Sequence, residues 1–181
     1  AYDRATTSIS GSPAFNNDLL DFTSTKFIKR DGSLPALDPN GTFTVMFVGN
    51  SISSTGTFLR QDTLNSTINP SSSLFGFGLD SGDFSRSYPG FISSSLQHVT
   101  YRYSEGTIDT FINGIPVTAS VANASLTNTA VSNALFLGDT AGGFSGSLAQ
   151  FYVYNRALST DEIYTTYLVS AERNGLPTVP K

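Results

Sequence analysis

Only one stretch of this chain has the periodicity of a helix, and it is short. Ile163, Tyr167 and Ala171 recur at helical spacing, with Tyr164 and Leu168 beside them, and make one apolar stripe. Ser159 stands three residues before Glu162. That is the spacing of a capping box, in which two orphan N–H groups at a helix start are satisfied reciprocally. Asp161 and Glu162 suit the positive end of the helix. Gly175 after Asn174 is the expected C-cap, and Pro177 prevents resumption. Just before this helix, Leu148, Phe151 and Val153 set against Gln150, Tyr152 and Tyr154 read as a nearly alternating strand, and Asn155 turns the chain. All other apolar residues must be buried by strands.

Those strands are read in order. Residues 1–18 are polar and broken by Pro13, and are expected to form an N-terminal arm ahead of a single domain over 19–181. Leu19 to Phe22 and Phe27-Ile28 are short strands. Asp31-Gly32 and Asp38-Pro39-Asn40-Gly41 are turns. Phe43 to Val48 is apolar on nearly every residue, so it is expected to be a central strand buried on both faces. Phe58 starts another strand, and 63–73 reads as a long polar loop. Leu74 to Leu79 is a strand carrying glycines, followed by a second polar loop over 80–90. Val99, Tyr101 and Tyr103 alternate with Thr100 and Arg102. Ser104-Glu105-Gly106 is a hairpin turn, Ile108 to Ile112 returns, and Asn113-Gly114 is the strongest turn signal in the chain. Residues 119–133 are expected to be loop, Ala134 to Leu137 a strand, and 139–143 a glycine-rich loop. The spacing of turns predicts an all-β, two-sheet antiparallel sandwich, because stacked sheets bury this many alternating faces.

Composition narrows the function. Charged residues are 13% of the chain, the net charge is −4, and Lys and Arg do not cluster. A nucleic-acid groove or an anionic membrane surface needs concentrated positive charge, so neither is expected as a partner. No apolar run is long enough to insert into a bilayer. Cysteine is absent, which excludes disulfides, thiolate metal sites and a cysteine nucleophile. The chain does not open on a basic segment followed by an apolar run, so no secretory signal is read.

Three blocks in order resemble the laminin-G-like (LamG) members of the concanavalin A-like lectin/glucanase superfamily. The first runs from Leu20-Asp21-Phe22 through Lys26-Phe27-Ile28 to Gly41-Thr42-Phe43-Thr44-Val45. The second joins His98-Val99-Thr100 to Phe111-Ile112-Asn113-Gly114-Ile115-Pro116-Val117. The third joins Leu135-Phe136-Leu137-Gly138-Asp139 to Phe144-Ser145-Gly146 and on through Tyr154-Asn155-Arg156-Ala157-Leu158-Ser159 to Ile163. The resemblance covers roughly 19–170 and implies a jelly-roll sandwich with one short helix near the C-terminus. The chain departs from the family pattern in having Phe47 and Gln97 where relatives usually carry Trp. Ala149 and Gln150 stand where relatives often carry acidic residues, one of which helps hold calcium. No cofactor is therefore expected, and a calcium ligand is not carried over.

Enzymes on this fold place alternating carboxylates on one strand as nucleophile and general acid. Glu105 falls in a turn and Glu162 and Glu172 in the helix, and no Asp/Glu pair alternates on a strand, so catalysis is not expected. His98, the sole histidine, reads as a structural strand residue, because a triad would also need a positioned nucleophile and a third group. Asp80, Asp83 and Asp139 lie in glycine-rich loops, where carboxylates either close Asx turns or offer hard oxygens to calcium; the turn reading is preferred. Tyr88 and Phe91, near Arg86, either stack on a sugar or partner surface or anchor their loop in the core. Tyr101, Tyr103, Tyr152 and Tyr154 read as packing. Asn40, Asn65 and Asn123 match the glycosylation pattern, as chance allows in so Ser- and Thr-rich a chain.

Two functions follow. The first is a non-catalytic assembly or display module with a protein partner, decorating a virus or phage surface or serving as an adhesin subunit, with homo-oligomer formation as one mode of assembly. The second, implied by the resemblance, is a secreted carbohydrate-binding domain whose partner is a glycan. Both place the chain on a virion surface or outside the cell. The loops 61–73 and 80–90, with Arg86, Tyr88 and Phe91, are expected to serve partner binding rather than sugar binding.

Overall fold

The computed structural model describes residues 7–10, 14–16, 19–22, 27–30, 42–50, 56–61, 64–69, 74–79, 85–87, 95–104, 107–122, 135–138, 145–178 and 180. Among them are two seven-stranded antiparallel sheets and one helix. The first sheet takes the order β1 (Thr7–Ser10), β4 (Phe27–Arg30), β13 (Leu135–Gly138), β6 (Gly56–Gln61), β7 (Leu64–Asn69), β8 (Leu74–Leu79), β9 (Ser85–Ser87). The second runs β12 (Ile115–Ala122), β11 (Thr107–Ile112), β10 (Gln97–Ser104), β5 (Thr42–Gly49), β14 (Gly146–Tyr154), β3 (Leu19–Phe22), β2 (Ala14–Asn16). Helix α1 spans Thr160–Asn174.

The strand expected at the centre lies there. β5 is fourth of seven, between β10 and β14, and every residue from Phe43 to Gly49 is buried. Register assigns its two faces. Phe43, Val45 and Phe47 stand opposite Tyr103, Tyr101 and Val99 on one side of the sheet. Thr44, Met46 and Val48 stand opposite Arg102, Thr100 and His98 on the other. α1 lies against this second side: Met46 and Phe111 pack with Leu158 and Ile163, and Val48 packs with Tyr167, Ala171 and Leu176.

The helix ends as its sequence requires. Ser159 Oγ accepts from the Glu162 N–H and the Glu162 carboxylate accepts from the Ser159 N–H, completing the capping box. Gly175 adopts the left-handed conformation at φ 63°. Arg156 donates to both Glu162 carboxylate oxygens, and this pairing, with the Ser159 N–H, holds the Glu162 pKa down to about 2. Ser159→Ala should cost about 1 kcal/mol, read as a fall in melting temperature of about 2–4 °C for a domain of this size. An unchanged melt would mean that Arg156 and Glu162 hold the corner without the cap.

Several local expectations need correction. The polar stretch 63–73 contains β7, paired along its length with β8 and with β6. Residues 80–90 contain β9, paired with β8. β12 runs to Ala122, into the expected loop over 119–133, held by Ile108↔Val121 and Thr107↔Ala122. In each case backbone ladder bonds to a neighbouring strand replace any need for an apolar alternation. Within residues 1–18, β1 and β2 pair with β4 and β3. Leu168 is 38% exposed rather than part of the buried stripe. The buried line of α1 is Ile163, Tyr167, Ser170 and Ala171, and at 100° per residue Leu168 falls off its flank.

Candidate functional site

Of the residues singled out for binding, Arg86 alone falls in a described element. It lies on β9, last in the order of the first sheet, opposite Phe75 of β8. Tyr88, Phe91, Asp80, Asp83 and Asp139 lie outside the described residues, as do the glycosylation matches Asn40 and Asn123. The register still orders the strands that lead into them. β8 ends at Leu79, opposite Leu64, toward Asp80 and Asp83. β9 ends at Ser87, opposite Leu74, toward Tyr88 and Phe91. β13 ends at Gly138, one residue past the Leu137↔Leu59 pair. Followed through β6, β7 and β8, that puts the ends of β13 and β9 at the same end of the sheet, and the end of β8 at the other. β13 and β9 are third and seventh in the order, so these two ends are about 19 Å apart at the usual strand spacing.

Several described polar side chains of the second sheet hold α1 and the strand ends. Nε and Nη2 of Arg102 both donate to Asp109 Oδ2, at 2.9 and 2.7 Å. Its Nη1 donates to the Leu158 carbonyl at 3.1 Å, and the guanidinium lies 5.0 Å from the Phe111 ring centre. Thr44 Oγ1 donates to the Arg156 carbonyl and accepts from the Leu158 N–H, at 2.9 and 3.0 Å. The corner before α1 is thus gripped from two strands. Sequence reasoning missed Arg102. The signal was available: with Glu105-Gly106 as a two-residue turn, Arg102 and Asp109 must face each other across the hairpin.

Gln150 and Ala149 have structural partners. Gln150 Oε1 accepts from Ser170 Oγ at 2.9 Å, and Ala149 packs against the cluster around Val48. Asp21 Oδ1 accepts from Ser147 Oγ at 2.6 Å, while Asn50 Oδ1 accepts from the Ser147 N–H. Among the described residues, no group of His, Cys, Asp and Glu is arranged to hold a metal ion. Tyr101 and Tyr103 are buried and Tyr154 packs on the Met46 cluster, as expected, but Tyr152 is 37% exposed. His98 is fully buried beneath α1, its ring 5.9 Å from that of Tyr167. Asn113 and Gly114 both take positive φ in the turn beside it. A Cβ on Gly114 would meet Tyr167 at 2.7 Å, so glycine is required there twice over. No described helix is long and apolar enough to cross a membrane.

Among the described residues, two antiparallel sheets, with one capped helix packed on the central strands of one, define the class: an antiparallel β domain. A family model, Laminin_G_3 of the concanavalin A-like lectin/glucanases superfamily, matches residues 34–164, and the chain belongs to that family. No curated protein sequence matches it significantly. Among solved structures, the receptor-binding domain of botulinum neurotoxin C/D mosaic serotype superposes with a TM-score of 0.73 at 14% identity, over 94% of this chain and 48% of that one. The botulinum neurotoxin serotype D ligand-binding domain, solved with N-acetylneuraminic acid, gives 0.71 at 13% identity, over 94% and 47%. The CBM40 of the Ruminococcus gnavus IT-sialidase, bound to α2,3-sialyllactose, gives 0.60 at 15% identity, over 82% of this chain and 96% of that one. The chain spans about half the length of the toxin domains. At these identities the likeness establishes the fold.

Proposed function

We propose that this chain is a non-catalytic, lectin-like binding module whose two sheets stack as a jelly-roll sandwich and whose ligand is a glycan. The observation that carries the ligand class is the CBM40 likeness, because there nearly the whole of a sialyllactose-bound domain matches most of this one. Stacking is supported by the face of β5 and β10 turned away from α1. Phe43, Val45, Phe47, Val99, Tyr101 and Tyr103 are each 3% exposed or less, as a second sheet stacked over them would leave them. The non-catalytic reading is supported by the described carboxylates. Asp21, Asp109 and Glu162 are bonded to Ser147, Arg102 and Arg156, and glycoside hydrolysis needs two that face each other across a cleft.

Recognition is proposed at the end of the first sheet where β9 stops, with Arg86, Tyr88 and Phe91 as the contact residues and Asp139, next in the chain after β13, as a further candidate. Asp80 and Asp83, which follow β8 in the chain, are left out of the proposed site. A glycan array that includes sialylated oligosaccharides tests the reading. The wild type should bind, chelator should leave binding unchanged, and Tyr88→Ala with Phe91→Ala should keep the fold and weaken binding at least tenfold. Since each lost aromatic stacking contact is worth on the order of 1 kcal/mol, the pair reaches that threshold. Absence of glycan binding, with capture on a protein surface that the same double variant abolishes, would replace this reading with the display or assembly module. That second reading is favoured by one observation: the toxin domains matched here are about twice as long, so this fold is used there as part of a larger receptor-binding unit.

A further inference from the structure

His98 is the only histidine of the chain, and it sits where a charge has no partner. It lies on the side of β10 that faces α1, opposite Val48, at 0% exposure. Its backbone is tied to the adjacent turn, the N–H donating to Asn113 Oδ1 at 3.0 Å and the carbonyl accepting from the Asn113 N–H at 2.7 Å. Its ring is not tied: neither Nδ1 nor Nε2 has a hydrogen-bond partner, and Thr100 Oγ1, two residues along the same face, has none either. The ring packs on Tyr167. The Tyr167 hydroxyl is committed elsewhere, donating to the Pro177 carbonyl in the tail that follows α1.

Among the described residues, the surrounding elements supply no counter-charge. From α1 the titratable groups facing His98 are Tyr167 and, behind it, Tyr164. The helix charges Asp161, Glu162, Glu172 and Arg173 are exposed. β5 contributes Val48, the tail Leu176 and the turn Asn113. On β10 itself the nearest charge is Arg102, four residues along and paired with Asp109, about 13 Å away at the rise of a strand. Its sign is also wrong for an imidazolium.

We propose that His98 makes the C-terminal half of α1 an acid-sensitive flap: protonating the buried ring drives Tyr167 through Leu176 and the tail off the sheet, while the corner before α1 stays held. The geometry divides the helix this way. Leu158 and Ile163 pack over Met46 and Phe111, and the corner beside them is bonded to Thr44 and Arg102. Tyr167, Ala171 and Leu176 share their patch with Val48, and the Tyr167 ring packs at a tilt against His98. Opening lets the imidazole reach water.

The sign follows from linkage. Burial lowers the His98 pKa from 6.5 to about 4. The closed state therefore favours the neutral ring; closure is fully stable above pH 6.5 and weakens as pH falls from 6.5 toward 4. Glu162 does not interfere above its ordinary pKa of 4.5, so the window between pH 8 and pH 5 belongs to His98.

The test is amide exchange across that window, corrected for the intrinsic pH dependence of exchange. The opening constant read at Ala171 and Leu176 should rise about 30-fold between pH 8 and pH 5, while that at Val45 and Tyr101 stays unchanged. His98→Gln, which carries no titrating ring, should abolish the rise. Equal loss of protection at Ala171 and Val45 would mean global unfolding and would overturn the flap. So would a flat response of the wild type, or an undiminished response in His98→Gln. If that variant does not fold, the single histidine C2–H resonance of the wild type decides. A midpoint near 4 supports the buried, unpaired ring, and one near 6.5 overturns it.

Discussion

Phe47→Asp is expected to yield no folded protein. Phe47 is 3% exposed at the centre of β5, flanked by Val99 on β10 and Phe151 on β14, with its ring 6.4 Å from that of Tyr101. Removing the aromatic ring alone costs about 3–5 kcal/mol. The carboxylate adds an unpaired charge among apolar side chains, a further penalty of several kcal/mol. A domain is stable by only about 5–15 kcal/mol, so the sum consumes most or all of it. Soluble expression and a thermal melt followed by circular dichroism read the outcome. A soluble variant with a cooperative melt like the wild type's would show that this face of β5 is wet, and the sandwich reading would fall with it.

Truncation after Arg156 should be nearly as damaging, for a different reason. It removes Leu158, Ile163, Tyr167, Ala171 and Leu176, each buried, and uncovers Met46, Val48, Phe111 and His98 beneath them. Burying a large apolar side chain is worth about 1.5–3 kcal/mol, so losing this layer costs on the order of 10 kcal/mol before the Thr44 and Arg102 bonds to the corner are counted. Calorimetry should show no cooperative transition, and an apolar dye should bind the uncovered sheet. A truncated chain that melts at the full chain's temperature would make α1 an appendage. The acid response of His98 involves only the outer half of this layer, which is why it can open without the loss that truncation imposes.

The candidate site was less legible than the fold. Arg86, Tyr88 and Phe91 were chosen for composition, and composition does not say which strand ends meet. The register does: it sends the ends of β13 and β9 to one end of the first sheet and the end of β8 to the other. The sequence of β7, Leu-Asn-Ser-Thr-Ile-Asn, reads as loop because it carries only two apolar residues. Its strand state comes from hydrogen bonds to β6 and β8, and a backbone donor leaves no mark on side-chain composition.

What the sequence determined by itself is whatever closes within a few residues or saturates a whole segment. The capping box spans three residues, Gly175 caps its own helix, Asn113-Gly114 supplies two positive φ angles in succession, and Phe43 to Val48 is apolar on both faces at once. Each is settled by local sterics, local hydrogen bonds or an unbroken apolar run. Only the tertiary structure decided how α1 is rotated on the sheet. That rotation buries Ser170 onto Gln150 and leaves Leu168 and Val169 in water. It also sets Tyr167 over His98. Ser170 and Gln150, or Tyr167 and His98, meet through a register shared by three strands and a corner gripped by Thr44 and Arg102. Contacts of that kind depend on where every intervening element lies, which no short window of sequence contains.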